Sequence, residues 1–383
     1  MKKANSILWF SVFVFIACCS KVKNEENVRI DRTIMFDRFP DSLIATSVRS
    51  VDYILLEDVK ESAFSEINKL VMKNGNIYIG DFRNHKIVVF DLAGNFKFAI
   101  DRKGRGPQEY LEIKNFAVDD HSIYVIDNYR HILYVYDSRS GKYLNKKKLP
   151  VVVWDVECFD NGDFLFAFAP LPGGSLSDKQ SPHRLFVMDS NCRIKRRLFT
   201  YSEEDPIGKQ TYFSTTEDRI VFHSCGSDVF TVFSKNNADT MFNIAVDFGP
   251  NKIPRDSRGD IHAINENGYH YLYGTPVMCR DYIALEVSIG DFLDCFLYDG
   301  KNGGITVNSA ESSFKCLWFP LCSYNDKYVC FLAGDDSYKS LVADGFERAE
   351  PVVEERGTTE RMPLRAILYL TQTTCSTATM SRA

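Results

Sequence analysis

Residues 76–91 read Asn76-Ile77-Tyr78-Ile79-Gly80-Asp81-Phe82-Arg83-Asn84-His85-Lys86-Ile87-Val88-Val89-Phe90-Asp91, and a second copy at 122–137 reads Ser122-Ile123-Tyr124-Val125-Ile126-Asp127-Asn128-Tyr129-Arg130-His131-Ile132-Leu133-Tyr134-Val135-Tyr136-Asp137. Asp81 to Asp127, His85 to His131 and Asp91 to Asp137 are each 46 positions apart. Each copy has two short alternating apolar runs, a tight turn between them and an acid at the end of each run. A recurrence of that length with that content is the sequence pattern of a propeller blade.

Working outward, Asn74-Gly75 and Ala93-Gly94-Asn95 supply hairpin turns around the first copy, where glycine takes the positive φ such turns require. Ser50–Glu57 alternates and precedes the first complete unit, as a strand that closes a ring would. Later units are degenerate. Phe164–Phe168 with Arg184–Asp189, Arg219–His223 with Asp228–Phe233, and Asp281–Glu286 with Asp294–Asp299 give the third to fifth, and Tyr328–Leu332 gives the core of a sixth. The expected fold is all-β: a six-bladed β-propeller of four-stranded antiparallel blades over 46–350, closed by an N-terminal strand. Phe248–Pro276 is longer than a hairpin connection needs and is expected to be a flap over one face.

The chain of 383 residues is too long for one small core and long enough for such a ring. Its 29 Phe and 19 Tyr suit side chains packed between stacked sheets. A net charge of -5 offers no basic footprint, which excludes nucleic acid as the expected partner. Eleven cysteines suggest disulfides, yet most sit in apolar strand runs such as Tyr328-Val329-Cys330-Phe331, where a free thiol acts as a small hydrophobe. No Cys-x-x-Cys pair occurs, and no cofactor is expected.

Lys2 and Lys3 precede an apolar run, Ile7–Ala17, with the shape of a secretory leader and too short to span a bilayer comfortably. Residues 20–45 are expected to be a tether, beginning with a polar, aperiodic stretch. Phe15-Ile16-Ala17-Cys18-Cys19-Ser20 resembles a bacterial lipobox. The resemblance implies that residues 1–19 are a lipoprotein signal segment, that Cys18 carries the lipid, and that the membrane is a partner through it, at the cell envelope and its outer membrane.

The linker Gly104-Arg105-Gly106-Pro107-Gln108-Glu109-Tyr110, then Phe116-Ala117-Val118-Asp119, then Ile123-Tyr124-Val125-Ile126-Asp127 resembles the NHL repeat. The Gly-x-Gly-Pro-x-Glu-Tyr form is similar to a family of six-bladed β-propeller lipoproteins common in Bacteroidetes. Against that family, residues 351–383 depart from the expected Asn-rich turn and last strand. A frame change or truncation is the expected cause, leaving the last blade with an open edge.

No motif specifies a reaction. The glycine-rich linker is not a phosphate loop, because no helix follows Tyr110 to present amides to an anion. The turns between the paired strands hold Arg83 and Asn84 in one unit and Asn128, Tyr129 and Arg130 in the next. With Arg105 they are the candidate ligand-binding residues, able to offer hydrogen bonds and a ring face to a glycan, peptide or protein. Gln108 and Glu109 are weaker candidates. The opposing reading makes these residues turn supports and blade-bridging cations. His223, Glu286, His262 and His270 are open as axial metal ligands, though none is expected. The function expected is a ligand- or protein-binding envelope lipoprotein without catalysis, and the alternative is an extracytoplasmic hydrolase or lyase of a glycan or peptide derivative.

Overall fold

A computed structural model describes residues 29–36, 48–168, 183–200, 209, 211–224, 226–254, 257–258, 260–290, 292–307, 319–333 and 365–372. The leader with Cys18, the loop Leu171–Ser175, and the residues beyond 372 lie outside them.

The chain begins with β1 (Arg32–Met35) and β2 (Val48–Leu55). Five antiparallel blades then follow from consecutive strands. The first is β3 (Lys69–Lys73), β4 (Asn76–Asp81), β5 (Lys86–Asp91) and β6 (Phe96–Ile100); the second is β7 (Asn115–Val118), β8 (Ser122–Asp127), β9 (Ile132–Asp137) and β10 (Tyr143–Lys148). The third is β11 (Asp155–Cys158), β12 (Phe164–Ala167), β13 (His183–Met188) and β14 (Ile194–Thr200), and the fourth is β15 (Phe213–Thr215), β16 (Arg219–His223), β17 (Val229–Ser234) and β18 (Met241–Asp247). The fifth contains β19 (His270–Leu272), β20 (Val277–Cys279), β21 (Tyr282–Ile289), β22 (Phe292–Asp299) and β23 (Ile305–Val307). A further sheet is a composite: β24 (Cys322–Tyr324) and β25 (Lys327–Ala333) pair onward to β26 (Arg365–Gln372), and β26 pairs with β2 from the other end of the chain. The fold is an all-β propeller of four-stranded antiparallel blades. Where the sequence suggests six blades, five are made from consecutive chain and one sheet is assembled from both ends.

The first strand of each sheet, or β20 in the fifth, packs against that of the next, β3 on β7, β7 on β11, β11 on β15, β15 on β20, β20 on β24, and β24 back on β3. The core is accordingly distributed in layers between sheets. Tyr78, Ile87 and Val89 of the first blade meet Phe116, Val125 and Tyr134 of the second. Ile126 and Val135 meet Phe166 and Phe186, and Leu165 and Val187 meet Ile220 and Phe233. This is why strands here alternate yet read as apolar on both faces: each face has a neighbouring sheet to cover it.

The acids that follow or end the strand before the outer one in four of the five blades have a local task. Asp91 accepts from the backbone N–H of Ala93 and Asn95, Asp137 from Arg139 and Ser140, Asp189 from Asn191 and Arg193, and Asp299 from Lys301 and Asn302. A carboxylate side chain mimics a turn of backbone and stabilises the tight connection to the outer strand.

Three stretches differ from what the sequence suggests. Within 20–45, expected to be a tether, β1 lies parallel to β18 and extends the fourth blade. Ile34 and Phe36 are buried there, with Phe36 edge-on to Phe248 and Phe296 at 4.9 and 4.7 Å between centroids. Arg32 donates to Tyr298 Oη and Gly300 O, each at 2.8 Å, so the arm straps the fourth blade to the fifth. Four residues are too short for periodicity to reveal. Phe248–Pro276 is not an open flap: it holds the short helix Ile261–Glu266 and β19, and Ile253, Ile264 and Tyr271 form a small core of their own. Lastly, the tail stretch 351–383 contains β26, which fills the position expected to be an open edge.

Phe36→Ala is expected to lower stability by about 3–5 kcal/mol, as for other buried aromatic truncations. Urea unfolding checks this; a loss under about 1 kcal/mol would show that the arm is not a part of the packed core.

Candidate functional site

The first strands of the sheets start at one end of the disc. Lys69 pairs with Gly80, Asn115 with Ile126, Asp155 with Ala167, Phe213 with Phe222 and Val277 with Ala284, so β4, β8, β12, β16 and β21 run toward this end, which also carries the turns after β4 and β8. The linkers that join the first three blades arrive here too. We call it the loop end.

Its first two blades are locked by repeated contacts. Asp81 Oδ1 accepts from Asn84 N and Oδ2 from Ser65 N, while Asp127 Oδ1 accepts from Arg130 N and Oδ2 from Leu111 N. Each acid thus fixes its own turn and the incoming linker together. Burial pushes the Asp81 carboxyl up, but these donors outweigh it and hold it below its ordinary value. His85 and His131 both take φ 54°, the left-handed conformation that completes the turn, and His85 Nδ1 accepts from Ile113 N at 3.2 Å.

The Gly-x-Gly-Pro-x-Glu-Tyr linker is explained by Glu109 and Tyr110. A Cβ on Gly104 would lie 2.0 Å from Glu109 Oε2, and that same oxygen accepts from Gly106 N at 2.8 Å. Tyr110 is fully buried; its hydroxyl donates toward His85 O and Ile100 O and accepts from Arg102 N. The linker is a structural turn joining the two blades.

The sequence candidates divide on this scaffold. Arg130 reaches the carbonyls of Gly104, Gly106 and Glu109 and the Tyr134 hydroxyl, at 3.0 to 3.4 Å, so it bridges turn to linker. Asn84 donates to Ser65 Oγ and Asp81 Oδ2, both at 2.7 Å. Arg83 and Arg105 are exposed. Tyr129 is 76% exposed, and Asn128 Oδ1 is buried with no hydrogen-bond partner. Because Arg130 ties its turn to the linker and Tyr110 ties the linker to the turn at His85, the three loops carrying Arg83, Arg105 and Tyr129 form one surface.

Sequence reasoning missed the charged groups at the centre. Lys69 Nζ lies 3.1 Å from Asp155 Oδ1 and 2.7 Å from Glu157 Oε1, all three side chains being buried. Asp155 Oδ2 also accepts from Tyr212 N and Phe213 N. Burial alone would lower the Lys69 pKa, but the two carboxylates more than reverse it. Glu157 is pushed up by burial, with Lys69 opposing. Nearby, Lys114 Nζ sits 3.6 Å from the centroid of the Trp154 ring. Burial lowers its pKa against the pull of Glu112 and Asp155, while burial raises that of Glu112. A signal was present: Lys69, Asn115 and Asp155 each open the first strand of a blade, a place where apolar residues are the default.

Two of the four metal candidates do converge, around an ammonium. Lys209 Nζ lies 2.9 Å from His223 Nδ1 and 2.7 Å from Thr275 Oγ1, and its charge acts on Glu286. Lys209 being the donor at Nδ1, the ring carries its hydrogen on Nε2 and donates to Ser227 O at 3.0 Å. Burial, then the Lys209 charge, drives the His223 pKa well down, keeping the ring neutral. Glu286 is raised by burial and packs on Gly274, where a Cβ would fall 2.4 Å from Oε2. His262 instead faces Glu266 on the exposed short helix, and His270 lies in β19 beside Phe36 and Phe248. Among the described residues no group of three or more His, Cys, Asp and Glu could hold a metal. The described cysteines are free; burial lifts the Cys192 thiol to about 11 and Cys279 to about 12.

A family model described as a domain of unknown function, DUF4934, matches residues 38–354. Among solved structures, a provisionally designated exported protein from Bacteroides fragilis aligns with a TM-score of 0.71 at 16% identity, over 89% of this chain and 99% of that one. A member of the DUF4221 family from Bacteroides vulgatus aligns with a TM-score of 0.51 at 11% identity, over 85% and 98% of the two chains. A search of curated proteins gives no match. At these identities the likeness is one of fold.

Lys69→Met is expected to cost about 3–5 kcal/mol at neutral pH, because it strands two buried carboxylates. Glu157 already titrates above the ordinary range, and without Lys69 it should rise further. A group raised in the folded state contributes stability below its unfolded pKa that is lost as pH rises through the folded one. The deficit of the variant should therefore shrink toward about pH 4 and grow above it. Urea unfolding across pH decides this, and a small, pH-independent deficit would contradict the ion cluster.

Proposed function

The chain belongs to the DUF4934 family, and on that premise we propose that it is an exported, lipid-anchored propeller of six blades that recognises a ligand or partner at its loop end rather than transforming it. The cyclic packing of β3, β7, β11, β15, β20 and β24 supports the count of six. The Lys2–Ala17 leader and Cys18 support export and anchoring, and the structural neighbour from Bacteroides fragilis, itself designated exported, agrees with that compartment. Glycan, peptide and protein are the partner classes the exposed groups suit.

One observation carries the recognition reading. Three linked loops are held rigid by buried acids and a buried tyrosine, yet leave two arginines and a 76% exposed tyrosine facing solvent. Preorganised side chains lose little entropy on binding, and exposed Arg and Tyr are the residue types that carry most binding energy. The charges deeper in the site, by contrast, are matched with one another.

A photo-crosslinking residue at Tyr129 should capture a partner in intact cells, and one at Asn302, on a turn at the opposite end, should not. Equal labelling from both positions would remove the loop end as the recognition surface. Cys18→Ala together with Cys19→Ala should move the protein from the membrane to the soluble envelope fraction. Retention at the membrane would refute the lipid anchor.

A further inference from the structure

The outer strands of the second and third blades are basic out of proportion to the rest of the chain. Residues 138–154 hold five Lys and Arg and no acid, and residues 190–200 hold four and no acid; the net charge of -5 conceals this. β10 and β14 fall in these stretches. The fold brings them side by side on the rim, where Lys147 Nζ donates to Ser190 O in the turn that leads into β14. Lysine on an edge strand guards against pairing with another chain. That need does not account for the number, because β6, also an outer strand, has Lys97 alone and β23 has no charged residue.

Little of this charge is matched inside the molecule. Among the described residues only Lys195 and Arg196 of the nine meet a carboxylate, Asp163 at 2.6 Å and Asp239 at 2.8 Å. Lys146 Nζ donates to Pro107 O at 2.9 Å, and a neutral carbonyl leaves its charge in place. Lys142, Lys148, Arg193 and Arg197 are exposed. Between Tyr143 and Asn145 the register with β9 shifts, and the extra residue is Leu144, 50% exposed. A bulge re-aims a side chain, and here it leaves an apolar group among cations.

The N-terminal arm joins the disc one blade away. Arg29 O accepts from Asn243 Nδ2 of β18 at 3.0 Å, and Arg196 donates to Ala238 O and Asp239 Oδ1 in the turn before β18. Cys18 and Arg29 are eleven positions apart, a length of chain that spans about 40 Å at most. We propose that the rim formed by β10 and β14 rests on an anionic lipid surface, its cations among headgroup phosphates and Leu144 at the boundary with the acyl chains; this rests on the lipid anchor at Cys18 proposed above. Each Lys or Arg near anionic headgroups strengthens such a contact about fivefold, and an apolar side chain among them adds to it. Leu144 and the nearby arm favour a bilayer over a soluble polyanion, which has no apolar layer to receive a leucine. Standing on its rim, the disc keeps its loop end open to a partner. Salt releases contacts of this kind, so the strip orients the protein and the anchor retains it.

The test uses the full-length protein, purified from membranes and reconstituted into vesicles of phosphatidylcholine alone or of equal parts phosphatidylcholine and phosphatidylglycerol. A photo-crosslinking residue stands at Leu144 or at Leu92, an exposed leucine on an outer turn of the first blade. In the anionic vesicles lipid labelling from 144 should exceed that from 92 at least fivefold. It should fall to the level of 92 in phosphatidylcholine alone, and in about 1 M salt, where screening acts within about 3 Å. Lys148→Glu with Arg197→Glu, one from each strand, should cut it at least tenfold while flotation with the vesicles and the unfolding temperature stay unchanged. Protein that floats with the vesicles but labels lipid equally from 144 and 92, or labels both vesicle types equally, or keeps its labelling in the double variant, overturns the rim contact and leaves the anchor standing. Complete loss of labelling to polyphosphate at matched phosphate concentration would assign the strip to a soluble polyanion instead. Failure to float with either vesicle type would overturn the anchor and the rim contact together.

Discussion

One ammonium held between two carboxylates ties the centre of the disc together. Lys69 comes from the first blade, Asp155 and Glu157 from the third, and Asp155 passes the contact on to the backbone of Tyr212 and Phe213 at the fourth. Burying any one of these charges alone would cost several kcal/mol, so none is tolerable without the others. The arrangement therefore specifies which blades face one another, which non-directional apolar packing between sheets does poorly.

Rigidity at the loop end follows from the same logic applied locally. Asp81 and Asp127 each bind a turn and a linker, and Tyr110 ties three backbone segments through one hydroxyl. Loops fixed in this way can display side chains without paying the ordering cost on binding that a mobile loop incurs. A propeller fold alone implies no function; what points to recognition is which residues the scaffold uses for itself and which it leaves facing outward. Arg130 and Asn84 belong to the first group, and Arg83, Arg105 and Tyr129 to the second.

Much of this could be read in the chain. The 46-residue recurrence predicted β4, β5, β8 and β9, because alternation and closing acids are local signals. The strand near Ser50 was legible as a closing element and does join the last sheet. What escaped notice depends on partners far away in sequence. β1 is four residues whose only reason to be a strand is the exposed edge of β18, and β26 sits in a stretch whose composition suggested no sheet. The pairing of Lys69 with Glu157 has no local signal, since nothing in either neighbourhood announces the other 88 positions away. Likewise Arg130 looked like a binding residue until the carbonyls of the preceding linker were seen to surround it.

A double-mutant cycle between Lys69 and Asp155 tests the organising role of the central ions most directly. Unfolding free energies of Lys69→Met, Asp155→Asn and the double variant should give a coupling of about 2–3 kcal/mol, the upper range for contacting residues. Additivity within about 0.5 kcal/mol would mean that the two side chains do not act together, and the ring would have to be held by sheet packing alone.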